Sequence, residues 1–299
     1  METLFADVRH SFRVLIKSPG FTTVAVLALA LGIGANAAIF SVIDRVLLSP
    51  LPFYDSERVM RVERHYPNGY SSSTSIPRFV AWRKAKAFQS MAAYDFGSVS
   101  MNLGVGDRPN PVNGMHVTAD FFKVFGVDPI LGRTFSPDED LPNGGKYAVL
   151  TFNLWKNRLG GNREIVGKTI SLNSERYTVV GVLPQSFQPD PPTDLYMPEQ
   201  FDLNSTNQGN IYDVAGRLEA GASVASAQAE LAVIASQFRT AHPDVVDPDE
   251  SVAVLPLRVA IGGDVRFPLL ILAGAVGFVL LIACANVANL LLARAAGRQ

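Results

Sequence analysis

Phe267-Pro268-Leu269-Leu270-Ile271-Leu272-Ala273-Gly274-Ala275-Val276-Gly277-Phe278-Val279-Leu280-Leu281-Ile282-Ala283-Cys284-Ala285-Asn286-Val287-Ala288-Asn289-Leu290-Leu291-Leu292-Ala293 runs for 27 residues without a charge. A helix rises 1.5 Å per residue, so about 20 apolar residues cross the ~30 Å hydrocarbon core of a bilayer. The stretch is apolar on every side, which the surface helix of a water-soluble domain cannot be. Residues 21–43 repeat the pattern with 23 uncharged residues near the other end of the chain. These two runs account for the tilt of the composition, 48% hydrophobic against 18% charged with a mean hydropathy of +0.18. The expectation is an α+β membrane protein in which two transmembrane helices, 21–43 and 267–293, flank a large domain.

Basic residues close to the spans set the orientation. Arg9, Arg13 and Lys17 precede the first run, and Arg294 and Arg298 follow the second, within the segment 294–299. Both termini are therefore expected in the cytoplasm and residues 44–266 outside it. Only five of the 26 basic and two of the 27 acidic residues lie outside that segment, so its net charge is −4. It offers no basic footprint for nucleic acid. The single cysteine, Cys284, falls inside the second run, so the external domain must be held by its core rather than by disulfides. Ala35-Asn36-Ala37 has the form of a signal-peptide cleavage site, but the apolar run continues through Ile39, Phe40, Val42 and Ile43.

Residues 1–18 read as an interfacial amphipathic helix, with Leu4, Phe5, Val8, Phe12, Leu15 and Ile16 at helical spacing and the three basic residues on another face. Ser18-Pro19-Gly20 breaks it. Pro50 and Pro52 bound the entry to the external domain. Residues 58–66 read as a strand. Ile76-Pro77 opens a helix whose face carries Phe79, Trp82 and Met91. Residues 96–103 and 112–118 read as strands, followed by a short helix at 120–125. Farther on, 212–218 is strand-like, Ser223 caps a helix ended by His242-Pro243, and 251–259 is another strand. Between these parts, 131–206 holds short apolar runs (147–152, 169–172, 177–183) separated by turn residues.

Catalytic chemistry finds little support. Gly167-Lys168-Thr169 imitates the tail of a phosphate loop, but position 162 is Asn where the pattern needs Gly, and strand residues follow where a helix is required. His10, His65, His116 and His242 show no paired spacing. Asp138-Glu139-Asp140 and residues 247–250 are acidic clusters beside prolines; solvated turns account for them, and a bound cation is the other reading. No nucleophile elbow or Cys/His pair occurs. The expectation is a protein that is not an enzyme, with no catalytic, metal or cofactor residues. The informative polar groups lie in the spans: Asn36, Asn286 and Asn289 need partners in hydrocarbon, and interhelical hydrogen bonds supply them. Ala30, Gly34 and Ala38, then Ala273 and Gly277, are small residues at four-residue spacing. Together these eight positions are expected to pack against further helices, from this chain or a second copy.

The order of elements, with Phe12-Arg13-Val14-Leu15-Ile16-Lys17-Ser18-Pro19-Gly20-Phe21-Thr22, Leu31-Gly32-Ile33-Gly34-Ala35-Asn36-Ala37-Ala38-Ile39-Phe40, Val166-Gly167-Lys168-Thr169-Ile170 leading to Tyr177-Thr178-Val179-Val180-Gly181-Val182-Leu183-Pro184, and Ile282-Ala283-Cys284-Ala285-Asn286, resembles MacB/FtsX-like ABC transporter permeases, in particular the duplicated orphan permeases of acidobacteria. The resemblance implies a periplasmic core domain over 44–266 with two lobes, a porter-like α+β lobe from 50–130 and 207–260 and a β-rich lobe from 131–206. It also implies a bacterial inner-membrane protein that binds no ATP itself and works with a cytoplasmic ABC ATPase and a periplasmic adaptor. Transport would be export or extraction of amphiphiles, and the helix ending at Ile43 would continue outward as a stalk. Family members carry further spans after the external domain, so the sequence reads as the N-terminal part of a longer permease. The alternatives are a bitopic periplasmic ligand sensor and an FtsX-like regulator of a cell-wall hydrolase.

Overall fold

The computed structural model describes residues 19–44, 51, 53–104, 110–187 and 191–296. The interfacial helix expected over 1–18, Pro50, Pro52, Arg298 and the outward continuation past residue 44 lie outside them. Two compact units form, one from Met1–Ser49 with Ile261–Gln299 and one from Pro50–Ala260. In the first, helix α1 covers Pro19–Ile43.

The second unit is a mixed α+β domain. Its elements are β1 Val59–Tyr66, β2 Gly69–Ser71, α2 Ile76–Trp82, β3 Phe88–Asp95, β4 Val99–Asn102, β5 Pro111–Val117, α3 Phe121–Phe125 and β6 Leu131–Gly132. There follow β7 Tyr147–Leu150, β8 Thr169–Leu172, β9 Glu175–Val182, β10 Leu195–Pro198, β11 Tyr212–Leu218, α4 Val224–Ala241 and β12 Ser251–Pro256, which leads into α5 Leu257–Ala296. All twelve strands belong to one sheet, ordered β12-β1-β11-β3-β5-β10-β7-β9-β6, with β2, β4 and β8 paired at the sides of β1, β5 and β9.

The flanking parts of the chain give β1-α2-β3 and β11-α4-β12. Their strands interleave as β12-β1-β11-β3, every neighbour antiparallel, which is the split β-α-β arrangement of ferredoxin-like folds. Helices α2 and α4 cover one face. Phe79 and Trp82 of α2 and Ala227 and Leu231 of α4 are buried there against Met60, Val62, Met91, Val214 and Val254. Ser223 opens α4 with a reciprocal cap, its hydroxyl accepting from the Ser226 backbone N–H while the Ser226 hydroxyl accepts from Ser223 N–H, which satisfies donors that a helix start leaves orphaned. The opposite face is covered by α3, whose Phe121, Phe122 and Phe125 stack on Tyr94, Tyr196 and Phe187.

Three expected elements end elsewhere. Helix α2 stops at Trp82, and Met91 lies on β3, reaching the same core from the sheet rather than from a helix face. Phe96 is 68% exposed in the turn before β4, so the strand expected from 96 begins at Val99. The last strand ends at Pro256, and Leu257, Arg258 and Val259 are already helical; the proline there occupies a strand end and cannot continue the ladder. The β-rich segment forms no sheet of its own. β10 pairs in parallel with β5, so strands β6 to β10 prolong the same sheet around a separate cluster that includes Leu150, Leu154, Trp155, Leu172 and Met197.

Two devices close this unit. Arg217 of β11 is buried, and its Nε donates to the Val124 carbonyl at 2.9 Å, its Nη2 to Tyr54 at 2.9 Å and its Nη1 to Asp55 at 3.2 Å. Gly126 caps α3 with φ of 62°, and a Cβ there would stand 3.0 Å from that guanidinium, so both conformation and space require glycine. At the sheet edge, Gln228 of α4 donates to the Val252 carbonyl and accepts from Val254 N–H, at 2.7 and 2.8 Å.

Replacing Arg217 by methionine keeps the packing and strands three carbonyls, so thermal unfolding of the full chain in detergent should show a loss of about 3 kcal/mol; a loss within experimental error would mean the clamp is not structural. A second expectation concerns acid. Arg133 grips Glu139 through two bonds of 2.7 and 2.6 Å and Ser136 N–H adds a third, and the Arg133 bond chiefly holds the Glu139 carboxyl below its ordinary range. A carboxyl depressed in the folded state stabilises above its unfolded value and loses that contribution as pH falls through the folded one. Arg133 is 56% exposed, so screening limits the pair to about 1 kcal/mol. Glu139→Gln should be less stable than the parent at pH 7, and unfolding midpoints measured downward from there should converge at acid pH.

Candidate functional site

In the first unit, α1 meets α5 around Asn36 and Gly32. Asn36 Nδ2 donates to the Gly32 carbonyl of its own helix at 2.9 Å and to the Val276 carbonyl of α5 at 3.2 Å. A carbonyl already bonded within α5 retains a lone pair, so the amide satisfies itself without breaking either ladder. Gly32 is buried beside it, and a Cβ at this position would lie 3.0 Å from Leu280 Cδ1 and 3.6 Å from Leu280 Cα. Of the other positions singled out by sequence, Ala30, Gly34, Ala38, Asn286 and Asn289 are exposed and Ala273 and Gly277 half-buried. Gly34 and Gly277 have open space within 4 Å. The glycine that admits the neighbouring helix is therefore Gly32, which the four-residue spacing passed over.

Among the described residues, one helix is long and apolar enough to cross a membrane, with its span at Phe267–Asn289 and a mean hydropathy of 2.6; a shorter apolar stretch covers Ala30–Ile43. Phe267, Ile271, Phe278, Leu281 and Ile282 are exposed along the span, as a lipid-facing or helix-facing surface requires.

In the α+β unit, the first and last strands of the sheet's flanking part lie side by side. Met60 and Pro256 are Cα partners across β1 and β12, so the strand that begins the domain and the strand that ends it are neighbours, with their outer ends at the same end of the sheet. β12 passes into α5, a 40-residue helix, without an intervening loop. At the other end of the same two strands, Glu250 is buried and receives Arg78 Nη2 at 3.0 Å, Arg64 Nη1 at 3.5 Å and the Tyr66 hydroxyl at 2.7 Å. Burial lowers the Arg78 guanidinium and raises the Tyr66 phenol. The acidic segment at 247–250 thus contributes a buried ion-pair centre between β1, α2 and β12. Asp140, in the other acidic cluster, accepts from the backbone of Ala119 and Gln200. Gly167 sits in a turn with φ of 83° and Thr169 opens β8, so the phosphate-loop imitation precedes a strand.

The sequence missed one constellation. Among the described residues, a nitrogen of His116 and carboxylate oxygens of Asp95 and Glu199 lie within 4.8 Å of one another. Asp95 Oδ2 is 2.8 Å from His116 Nδ1 and accepts His116 N–H at 3.0 Å. That bond to Asp95 raises the imidazole. Glu199 is pushed up to about 8 by burial and by the Asp95 charge, and its Oε2 is buried with no hydrogen-bond partner among the described residues. The Tyr212 phenol bears on the same carboxylate and is raised in turn by burial and by Glu199. Residues 95, 116 and 199 are too far apart in sequence for spacing to expose them; only strand register brings them together. His65 and His242 stand apart, stacked on Tyr70 and Phe238.

The domain is thus a split β-α-β sheet extended by a β-rich segment, and its last strand runs into a helix long and apolar enough to cross a membrane. The profile of the MacB-like periplasmic core domain matches residues 22–234; the chain belongs to this family, the periplasmic part of MacB/FtsX-like permeases. Similar solved structures include a domain of a proposed permease from Porphyromonas gingivalis, 18% identical, TM-score 0.52, over 68% of this chain and 92% of that one. The periplasmic region of MacB from Actinobacillus actinomycetemcomitans is also 18% identical, TM-score 0.51, over 72% of this chain and 96% of that one. At these identities the likeness is one of fold. No curated protein matches by sequence.

The Gly32–Leu280 contact can be read out directly. A Cβ at Gly32 would lie 3.8 Å from Leu280 Cβ, within the range that a disulfide spans. Gly32→Cys with Leu280→Cys, in a Cys284→Ser background, should cross-link within one chain on mild oxidation in membranes. Cross-linking only between chains, or none, would reject this pairing.

Proposed function

We propose that this chain is permease polypeptide of a MacB/FtsX-type ABC transporter in a bacterial inner membrane. Residues 21–43 and 267–293 cross the bilayer, residues 44–266 lie in the periplasm, and both termini face the cytoplasm. A separate cytoplasmic ABC ATPase binds and hydrolyses ATP; the helices relay its motion to the periplasmic domain, which exports or extracts amphiphilic substrates. The exposed amides of Asn286 and Asn289 and the open small-residue positions await further permease helices or a second copy, and a periplasmic adaptor completes the path outward. The observation that carries this reading is the paired exit of β1 and β12, with β12 continuing as α5. A displacement of α5 would enter the sheet at β12, which continues into that helix without a loop and is hydrogen-bonded to β1.

The stalk expected beyond Ile43 has its counterpart in the first turns of α5, before the apolar span. Proline in a helix interior removes a hydrogen bond and clashes with the preceding turn. Ile261→Pro and Val42→Pro should leave ATP hydrolysis by the co-purified ATPase within about twofold of normal while amphiphilic dye efflux falls by roughly tenfold or more, a barrier change of about 1.4 kcal/mol. Efflux at normal coupling in both variants would refute mechanical relay through these helices. Co-purification of a cell-wall hydrolase in place of an ABC ATPase would refute the transport reading itself.

A further inference from the structure

The cluster on β3, β5 and the residue after β10 is organised by the sheet. Asp95 pairs with Tyr212, and the Tyr94–Val117 pair sets Asp95 opposite His116. Met197 is the partner of His116 on the other side, and Glu199 follows two residues later. Side chains alternate along a strand, so Tyr212, Asp95, His116 and Glu199 project from one face across four consecutive strands. The opposite face carries Tyr94, Val117 and Tyr196, which are buried in the aromatic core.

We propose that Asp95, His116 and Glu199 bind a divalent transition-metal ion of the zinc class. Two carboxylates and an imidazole converge there, and the ionised groups bearing on Glu199 are Asp95, His116 and Asp140, with no lysine or arginine among them. Glu199 Oε2 is buried with no hydrogen-bond partner among the described residues, and the one donor bearing on the carboxyl is the Tyr212 phenol, so a cation would compensate the remaining oxygen. The 2.8 Å contact between Asp95 Oδ2 and His116 Nδ1 already places two donor atoms side by side, and an ion entering there would replace that hydrogen bond with a bond to each. A mixed nitrogen and oxygen donor set suits zinc, whereas calcium and magnesium take oxygen alone. Zinc–ligand bonds of about 2.0 to 2.2 Å place tetrahedral donors roughly 3.3 to 3.5 Å apart. Donors now within 4.8 Å reach that spacing by side-chain rotation, with water completing the shell and the Tyr212 phenol beside it. The ion would tie β3 and β5 to the segment that leads from β10 back to β11, where the β-rich part of the chain rejoins the flanking part.

The inference stands independently of transport, and so does its test. Tag-free full-length chain in detergent, stripped with a chelator, would be titrated with Zn2+ by calorimetry and by thermal unfolding. One saturable equivalent is expected, with the unfolding midpoint raised by roughly 5 °C at a hundredfold excess over Kd. Co2+ in its place should give visible absorption bands of a low-coordinate site. His116→Ala and Glu199→Gln should each weaken binding at least tenfold and abolish the midpoint shift, while His65→Ala and His242→Ala leave both unchanged. Glu199→Gln preserves shape, and its metal-free midpoint reports whether the fold survives. The proposal is overturned by the absence of saturable binding, by a shift that persists in Glu199→Gln, or by an equal response to Mg2+ or Ca2+.

Discussion

A buried guanidinium holds the start of the periplasmic domain in place. Arg217 gives its donors to main-chain carbonyls of Tyr54, Asp55 and Val124, so a charge with no fully buried counter-ion is solvated by backbone dipoles. Those carbonyls belong to the segment that leads into β1 and to the end of α3, while Arg217 itself stands on β11, between β1 and β3. The requirement propagates outward. Gly126 must be glycine to let the guanidinium pass, α3 must end there, and its three phenylalanines are then set over the sheet face that carries Tyr94 and Tyr196. Satisfying one cation fixes the entry of the chain, the second layer and the register of the central strand together.

Much of this architecture was legible as local chemistry. β11 was readable as the strand-like run 212–218, α3 as the short helix at 120–125, and α4 by its serine cap and His242-Pro243 terminator. The error over residues 76–91 has a physical origin. Phe79, Trp82 and Met91 fit a helical face, and β3, buried on both sides over Met91 to Tyr94, lacks the alternation that marks a half-exposed strand. Only its partners β11 and β5, far away in sequence, distinguish the two. The polar cluster was hidden for the same reason, since Asp95, His116 and Glu199 become neighbours through register alone.

The two apolar helices show a different balance. Their length and uniform apolarity were plain in the sequence, and so was the need of Asn36 for a partner. Which carbonyl it meets was not, because the meeting point is set by Gly32 and Leu280, and nothing in a spacing of small residues tells an interface from an open face. Likewise the β-rich segment was recognisable by its turns, whereas its continuity with the rest of the sheet rests on the parallel pairing of β10 with β5 and on a bridge between Leu103 and Leu172. That pairing gives the domain one uninterrupted hydrogen-bonded layer with three clusters of side chains around it.

A sheet of twelve strands has two ends, and each end of such a ladder is a template on which another chain can crystallise a strand of its own. At one end β6 is two residues long, too short to seed anything. At the other, the Gln228 amide occupies the Val252 carbonyl and the Val254 N–H as an incoming backbone would. A single side chain thus counterfeits the next strand, and the layer is finite. The domain thereby ends its own hydrogen-bonded layer with a side chain of its own helix.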